Sequence, residues 1–446
     1  MGRTSAGAAG KASGCRGRGP RGRMRARNGT SGEPCLILRP DPDGSGGVDA
    51  TPPPRCDVFC RVVDNFGDAG ICWRLARQLS LDHGLSVRLW IDRPEVLARL
   101  GVDAAVASRA GVALMPWPDP WPDPWPDPGV AVCGDIVIAA FACRLPEPYL
   151  DAMTRRVPRP AWFNLEHLSA ESWVAGVHGL ASPRPDRPLV EHFFVPGFDD
   201  ESGGLIRERG LLARRDAFRA DPSAPERLAA ALGVQARRPD ERLVSVFCYP
   251  HAPLASLLAH WRDGDRPVRT WIPAGVGTDA LVAVLGAGAA AAGAQTQAGR
   301  LRVAVLPFVP QPTYDEILWS CDVNIVRGED SAVRAQWAAR PWLWQPYPQP
   351  DGVDRAKLEA LLSRVSATTA GSRGPGATST PDDDRALAAW ADAMRAVSGV
   401  GDIGPAWDAL ASALPAVGRR AAAWCAGLAA QRDLADKLLD AARKML

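Results

Sequence analysis

The chain has 446 residues, of which 46% are hydrophobic, and its formal net charge is +2. This length predicts two domains with full cores, and no apolar run is long enough to span a membrane. Residues 1–28 hold eight Arg or Lys and no acid. The rest of the chain has 44 basic and 50 acidic residues, so its net charge is near −6. This charge gives no indication of nucleic-acid binding and suits a basic protein partner.

The ten cysteines are scattered, and none of them forms a C-x-x-C pair. This usage is typical of reduced, mostly buried cysteines and predicts a cytoplasmic protein. The N-terminus lacks the apolar core of a signal peptide. The six histidines are dispersed without metal-ligand spacing, so we expect no metal site.

Residues 1–55 are rich in Gly, Arg, Ser and Pro and cannot bury enough apolar surface to fold. We interpret them as a disordered basic extension. Contact of this tail with RNA, and translation assigned from too early a start, are the alternatives.

The stretch CDVFCRVVDNFGDAGICWRLARQL at 56–79 predicts a strand over Asp57–Val63, a turn at 65–68 and then a helix. The turn places Asp64 and Asp68 at the carboxyl end of a strand, where open α/β sheets bind ligands. It lacks G-x-G-x-x-G, so a nicotinamide site is not favoured, and two carboxylates suit a cationic or hydroxylic ligand. Alternatively, Asp64 and Asp68 only cap the strand end and the helix.

Strands and helices alternate through the first half of the chain. The patterns predict strands at Val87–Ile91, Asp135–Phe141 and Ala161–Leu165, and helices at Glu147–Arg156 and Pro222–Gly233. The tetrapeptide WPDP occurs three times at 117–128, and its prolines forbid helix and central strand, so we expect an exposed loop. Residues 163–180, 192–198 and 203–208 are irregular and aromatic. In the first of these segments, Glu166 and Glu171 either face an arginine-bearing partner or are only solvated.

A charged linker at Gln235–Glu241 marks the predicted domain boundary. A second alternating set follows it, with strands at Leu243–Cys248, Arg269–Ile272, Leu301–Leu306, Val323–Val326 and Trp342–Gln345, and helices at Leu254–Trp261, Tyr314–Ser320, Arg385–Val397 and Ala421–Leu446. Residues 366–383 are predicted as a loop. We therefore divide the chain into the extension 1–55, an N-terminal domain 56–238, a C-terminal domain 239–420 and a final helix 421–446.

The stretch VNIVRGEDSAVRAQWAA at 323–339 again predicts strand, turn and helix. A helix N-terminus with free N–H groups attracts anions, and Arg327 and Ser331 could bind a pyrophosphate without a metal. The alternative is a capped helix in which Arg327 pairs with Asp330.

These two stretches carry a resemblance. CRVVDNFGDAGICWRLARQL and VRGEDS…RAQW resemble segments of the elongation factor P arginine rhamnosyltransferases (EarP), over about residues 56–446 apart from 117–128 and 366–383. The resemblance implies a glycosyltransferase-B fold, with two Rossmann-like α/β domains facing across a cleft and a final helix that returns to the first domain. It implies transfer of rhamnose from dTDP-β-L-rhamnose to an arginine of elongation factor P, with inversion and without a cofactor or metal.

Site residues are carried over from the matching motifs. The family's three essential carboxylates match Asp64, Asp68 and Glu329, and its donor contacts match Phe247, Tyr249, Phe308, Gln311, Tyr314, Arg327, Asp330, Ser331 and Tyr347. We expect Asp68 to be the general base, Asp64 to orient the acceptor guanidinium, and Glu329 to order the donor. One departure is Ala139, where the family often has an acid.

Two other functions fit the same residues. One is a glycosyltransferase-B enzyme with a small-molecule acceptor, and the other is a non-catalytic nucleotide-sugar-binding protein.

Overall fold

The computed structural model of the protein describes residues 53–118, 120–121, 133–371 and 380–446. Most of the predicted extension 1–55 and most of the WPDP repeat lie outside the described residues. Of the repeat, the Trp117 and Trp121 rings contact Phe59. These two side chains are therefore partly buried, whereas we expected an exposed loop.

The first half of the described chain contains one mostly parallel sheet in the order β3-β2-β1-β4-β5-β7-β6, with β6 antiparallel to β7. Its strands are β1 Arg55–Cys60, β2 Ser86–Ile91, β3 Val112–Pro116, β4 Ile136–Ala140, β5 Ala161–Leu165, β6 Ala181–Pro183 and β7 Val190–Phe194. Both faces are covered, because Val58 belongs to one apolar cluster and the next residue, Phe59, to another. Burial on both faces explains the nearly continuous apolar strands. Ala139 is fully buried in β4, within the same cluster as Phe59.

The second half of the described chain contains a second sheet, in the order β10-β11-β9-β8-β12-β13, with β10 antiparallel to β11. Its strands are β8 Arg242–Val246, β9 Val268–Pro273, β10 Gln295–Ala298, β11 Leu301–Leu306, β12 Val323–Arg327 and β13 Trp342–Gln345. Apart from the antiparallel additions, both sheets have the 3-2-1-4-5 order of a doubly wound fold. Two Rossmann-like α/β domains, as predicted from the sequence, are confirmed.

The helices that precede β8 are α1 Asn65–Leu81, α2 Pro94–Arg99, α3 Ala104–Arg109, α4 Glu147–Arg155, α5 Val174–Val177, α6 Leu211–Ala220 and α7 Ala224–Ala231. Of these, α6 and α7 place Leu211 and Leu228 in apolar clusters of the second sheet. The later helices are α8 Leu254–Asp263, α9 Thr278–Leu285, α10 Gln311–Ser320, α11 Asp330–Trp337, α12 Val353–Gly371, α13 Pro381–Val397, α14 Ile403–Ala429 and α15 Leu434–Arg443, with a 3-10 turn at Pro350–Gly352. Among the described residues, none of these helices is both long and apolar enough to cross a membrane.

Three predicted boundaries are wrong. The first strand ends at Cys60, because the N–H groups of Val62 and Val63 bind side chains, not a neighbouring strand. The predicted turn at 65–68 is the first turn of α1. At 366–383, α12 continues to Gly371 and α13 begins at Pro381, where Thr380 caps the helix by accepting the N–H of Asp383.

The predicted single helix Ala421–Leu446 is two helices. α14 ends at Ala429, and Asp433 starts α15 by accepting the N–H of Asp436. The N–H of Leu434 bonds to the carbonyl of Leu205 in the first domain. α15 then buries Leu438 in the apolar cluster beneath β1 and α1. After the second domain, the chain therefore returns to complete the core of the first.

Six charged side chains join the two domains, and we call them the interdomain ion cluster: Arg74, Arg77, Glu208, Asp315, Asp330 and Arg334. Arg74 on α1 is fully buried, and its Nε lies 2.7 Å from Oδ1 of Asp330 on α11. From the second domain, Arg334 binds Glu208 at 2.6 Å and Asp315 at 2.8 Å. Each domain thus supplies a buried arginine to a carboxylate of the other.

Charge balance makes this buried cluster possible. Burial raises the pKa of Glu208, but attraction to Arg334 and Arg74 outweighs burial and holds its pKa well below the usual range. A carboxyl group with a depressed folded-state pKa stabilises the fold above its unfolded pKa and loses that effect as pH falls. Ionised Glu208 therefore stabilises the domain arrangement at neutral pH, and this contribution is lost in acid.

We expect Arg74→Met to lower the free energy of unfolding by about 3–5 kcal/mol, because Asp330 loses its arginine partner while Glu208 and Asp315 keep only their remaining arginines. Urea denaturation at pH 7 measures this. The difference from wild type should shrink as pH falls below about 4.3, where an unperturbed Glu takes up a proton. The exposed Arg443→Met, which removes only an ion pair with Asp440, serves as the control. An unchanged midpoint for Arg74→Met would show that the cluster does not hold the domains together.

Candidate active site

A cleft with about 900 Å³ of empty volume, partly open to solvent, lies between the two domains. It forms where strands end: Asp64 follows β1, Phe247 follows β8, and Arg327 ends β12. Of the twelve predicted site residues, ten line it: Asp64, Phe247, Tyr249, Phe308, Gln311, Tyr314, Arg327, Glu329, Asp330 and Ser331. The carboxyl ends of both parallel sheets therefore meet at one site, the usual ligand position in such folds.

The two acidic residues of the first domain occupy different positions. Asp64 lines the cleft, and its Oδ2 accepts a hydrogen bond from the hydroxyl of Tyr249, 3.2 Å away in the second domain. Asp68 lies one helical turn further on, is only 4% exposed, and accepts the N–H groups of Val63 and Asp64, each at 2.8 Å. Asp68 thus shapes the turn that presents Asp64. Asp64 is therefore the one of the two that lines the cleft, and which carboxylate acts as the base stays a prediction.

Both carboxylates take up protons more readily than ordinary Asp. Burial raises the pKa of Asp64, and repulsion by Asp68 raises it further, although the Tyr249 hydroxyl opposes the shift. Burial also raises the pKa of Asp68, against the two N–H groups that it accepts. A carboxylate with a raised pKa is a better base at neutral pH.

Arg327 forms the cationic part of the opposite wall. Its guanidinium lies over the rings of Phe247 and Tyr249, 4.3 and 4.7 Å from their centroids, and Nη1 donates to the carbonyl of Cys248 at 3.3 Å. The alternative pairing of Arg327 with Asp330 is wrong, because Asp330 binds Arg74. Stacking on two rings leaves the remaining N–H groups of Arg327 available to an anion.

Aromatic rings line the same wall. Phe308 contacts Phe66 of α1 across the cleft, with centroids 4.6 Å apart. Tyr347, which is 46% exposed and does not itself line the cleft, lies at right angles to Tyr249 with a centroid distance of 5.6 Å. Tyr314 contacts Phe247 at 6.1 Å. Such rings offer flat surfaces on which a base or sugar can stack.

Three predicted donor contacts also take part in the structure of the cleft itself. Asp330 belongs to the interdomain ion cluster, and Gln311 donates to the carbonyl of Gly70 on α1 at 3.2 Å. The hydroxyl of Ser331 donates to the carbonyl of Arg327 and fixes the turn before α11. Among the described residues, the buried Oε1 of Gln311 has no hydrogen-bond partner. This oxygen can therefore accept a hydrogen bond from a ligand.

Glu329 precedes α11 but does not cap it. Its carboxylate instead reaches the first domain, where Oε2 accepts the N–H of Leu168 at 2.9 Å and Oε1 lies 3.1 Å from Nδ1 of His167. Sequence reasoning gave no role to His167, Phe66 or Arg74. All three lie inside the motifs or the irregular segment, which could have drawn attention to them. Their roles could not be predicted, because the residues that they contact are distant in the chain.

One group of side chains in the described part of the chain has spacing suited to a metal ion: His83, Asp433 and Asp436. It lies beyond the C-terminal end of α1, whereas the cleft is at the N-terminal end of this helix. A metal-free cleft stays a prediction.

Comparison with known proteins identifies the family. The model of the family described as Elongation-Factor P (EF-P) rhamnosyltransferase EarP matches residues 56–443. The chain belongs to this family. A protein-arginine rhamnosyltransferase from Pseudomonas putida is 42% identical over 394 residues, 87% of this chain and 99% of the relative. One from Pseudomonas aeruginosa is 41% identical over 387 residues, 86% and 97% of the two chains.

A solved structure supports the same family and fold. It is described as the structural basis for EarP-mediated arginine glycosylation of translation elongation factor EF-P. It is 34% identical, with a TM-score of 0.61, over 88% of this chain and 100% of its own. The glycosyltransferase-B fold class and the family resemblance predicted from the sequence are confirmed.

Proposed function

We propose that this protein transfers rhamnose from dTDP-β-L-rhamnose to an arginine of elongation factor P, with inversion at the anomeric carbon and without a metal. The observation that carries the proposal is the cleft itself. It brings Asp64 of the first domain opposite Arg327 and its aromatic neighbours, in a chain of the EarP family. Each wall suits one of the two substrates.

The second domain suits the donor. Arg327 can bind the diphosphate through two parallel N–H groups. Phe247, Tyr249 and Phe308 offer ring faces, and the free Oε1 of Gln311 an acceptor. An arginine at this position supplies the positive charge that a metal would otherwise bring to the diphosphate.

The first domain suits the acceptor. A guanidinium has a pKa of about 12.5 or higher, so its nitrogen is a poor nucleophile until a proton is lost. Asp64 and Asp68 supply negative charge beside the cleft, and carboxylates bind guanidinium groups in a matching fork. Phe66, next to Asp64, adds an apolar surface for the arginine stem.

These positions support the following proposed reaction. A nitrogen of the acceptor arginine attacks the anomeric carbon from the side opposite dTDP. The N–C bond forms as the C–O bond to the phosphate breaks, and dTDP leaves with the electron pair. The proton lost from the guanidinium passes to Asp64, and the product is α-rhamnosyl-arginine. Glu329 orders the sugar between the two groups.

The compartment proposed for this reaction is the cytoplasm. Among the described residues, all eight cysteines are free and buried, as in proteins kept reduced. We propose elongation factor P and dTDP-rhamnose as the partners, and we propose neither nucleic acid nor a membrane.

The test is to incubate the full chain with dTDP-rhamnose and elongation factor P and to measure intact masses. We expect the acceptor to gain one deoxyhexose, and an acceptor with its target arginine replaced by lysine to gain none. The one-bond C1–H1 coupling constant of the attached rhamnose, measured by nuclear magnetic resonance, distinguishes the α from the β anomer. Transfer to small molecules only, or dTDP-rhamnose binding without any transfer, contradicts the proposal.

Arg327→Ala should weaken dTDP binding about tenfold to a hundredfold, because it removes a charge-assisted contact to phosphate. Isothermal calorimetry measures this. Arg237→Ala, which removes an arginine paired with Asp322 outside the cleft, is the matched control. Equal affinities in all three proteins would place the diphosphate elsewhere.

Asp68→Asn tests which carboxylate is the base. A base must be ionised, so the rate falls as pH drops through the pKa of Asp64. Asp68 raises that pKa by repulsion, and we expect the acidic limb of kcat/KM to move to lower pH in the variant. Its amide oxygen can still accept the two backbone N–H groups.

Asp92→Asn is the control, because Asp92 also accepts a backbone N–H after β1 but lines no part of the cleft. If Asp68 were itself the base, the variant would instead lose about 10²–10⁴ in rate at every pH.

A further inference from the structure

Glu329 is held by the opposite domain. It sits at the start of α11, where a side chain usually caps its own helix, yet both of its oxygens are engaged by the loop after β5. Oε1 faces Nδ1 of His167 and Oε2 accepts the N–H of Leu168. Because the two contacts come from adjacent residues, they fix both the position and the rotation of the carboxylate.

The imidazole of His167 is itself held from behind. The ring of Phe141 stacks on it, with centroids 4.6 Å apart and an angle of 19°. Phe141 and Ala142 both have φ near +55°, at 58° and 54°, a conformation that residues other than Gly rarely adopt. Two hydrogen bonds maintain it, from the N–H of Phe141 to Leu165 and from that of Ala142 to the Asn164 side chain. Strained backbone of this kind is kept where it places a functional side chain.

We propose that His167 is a positioning residue of the reaction, which holds the carboxylate of Glu329 in place relative to Asp64 and Asp68. The inference rests on the proposed function, because Glu329 acts there on the sugar. His167 is 47% exposed at its side chain, unlike the buried arginines of the interdomain ion cluster, and its partner Glu329 lines the cleft.

Charge supports the same role. Burial lowers the pKa of His167, but the hydrogen bond and attraction from Glu329 outweigh it, so its pKa lies above 6.5. Asp68 on α1 acts in the same direction, and Lys357 on α12 opposes it. Repulsion from Glu329 raises the pKa of both Asp64 and Asp68. When the imidazole is protonated, its positive charge offsets part of this negative charge.

Two substitutions separate the donor atom from the ring. His167→Phe keeps the stack on Phe141 but removes the N–H donor, whereas His167→Asn removes the ring and retains a donor near the position of Nδ1. We expect His167→Phe to lower kcat about tenfold to a hundredfold, as misplacement of a reacting geometry does, and His167→Asn to recover most of that loss. The affinity for dTDP, which lacks the sugar, should be unchanged in both.

The control is His260→Phe, because His260 binds Asp408 at 2.8 Å in a groove away from the cleft. Wild-type kcat in His167→Phe overturns the inference, and so does a parallel loss of dTDP affinity or an equal loss in both His167 variants. Absence of transfer by the wild-type protein would instead refute the proposed function.

A second measurement does not depend on turnover. Nuclear magnetic resonance of the histidine rings, assigned with His167→Asn, should show His167 titrating above 6.5 in the wild type and at lower pH in Glu329→Gln. The sign follows because Glu329 stabilises the protonated ring. Identical titration in both proteins would show that the contact does not form in solution.

Discussion

The arrangement of the two domains depends on a few charges that are almost completely removed from water. Arg74 and Arg334 each bind carboxylates from both sides of the interface. A buried ion pair is often no more stable than well-packed apolar residues of the same size. What it does provide is direction, because the N–H groups of a planar guanidinium point in fixed directions that the carboxylates must match. This geometry also fixes part of the cleft, because Asp330 belongs to the cluster and directly follows Glu329, which lines the cleft.

The cleft keeps opposite charges close together without letting them neutralise one another. Asp64 and Arg327 line the same space, but Arg327 stacks on Phe247 and Tyr249, and the hydroxyl of Tyr249 donates to Asp64. Tyr249 thus contacts both charged groups. A direct ion pair would close the site to an anionic donor and a cationic acceptor alike. Aromatic spacing leaves each charge available to its substrate.

Much of the fold could be predicted from the sequence because both sheets are buried on two faces. Such strands read as apolar runs, and Ala161–Leu165, Leu301–Leu306 and Trp342–Gln345 begin and end where predicted. The end of β1 could not be predicted, because Val62 and Val63 are residue types typical of strands. Only the hydrogen bonds of their N–H groups to Asp92 and Asp68 show that the strand has ended.

The site was predicted less completely than the fold. The motifs indicated Asp64 and Asp68, but four-residue spacing on a helix does not tell which carboxylate faces the cleft and which supports the turn. Contacts between distant segments were also hidden: Arg74 and Asp330 are separated by 256 positions. Local periodicity carries no information about such a pair.

The return of α15 to the first domain has a consequence for how the protein is made. Its apolar side chains complete the core under β1 and α1, yet the whole second domain lies between them in the chain. During synthesis, β1 through β7 leave the ribosome long before the helix that covers them. The second domain, whose strands and covering helices are contiguous, can fold while the first still exposes part of its apolar surface. The core of the first domain can therefore be completed only after the second domain has been synthesised.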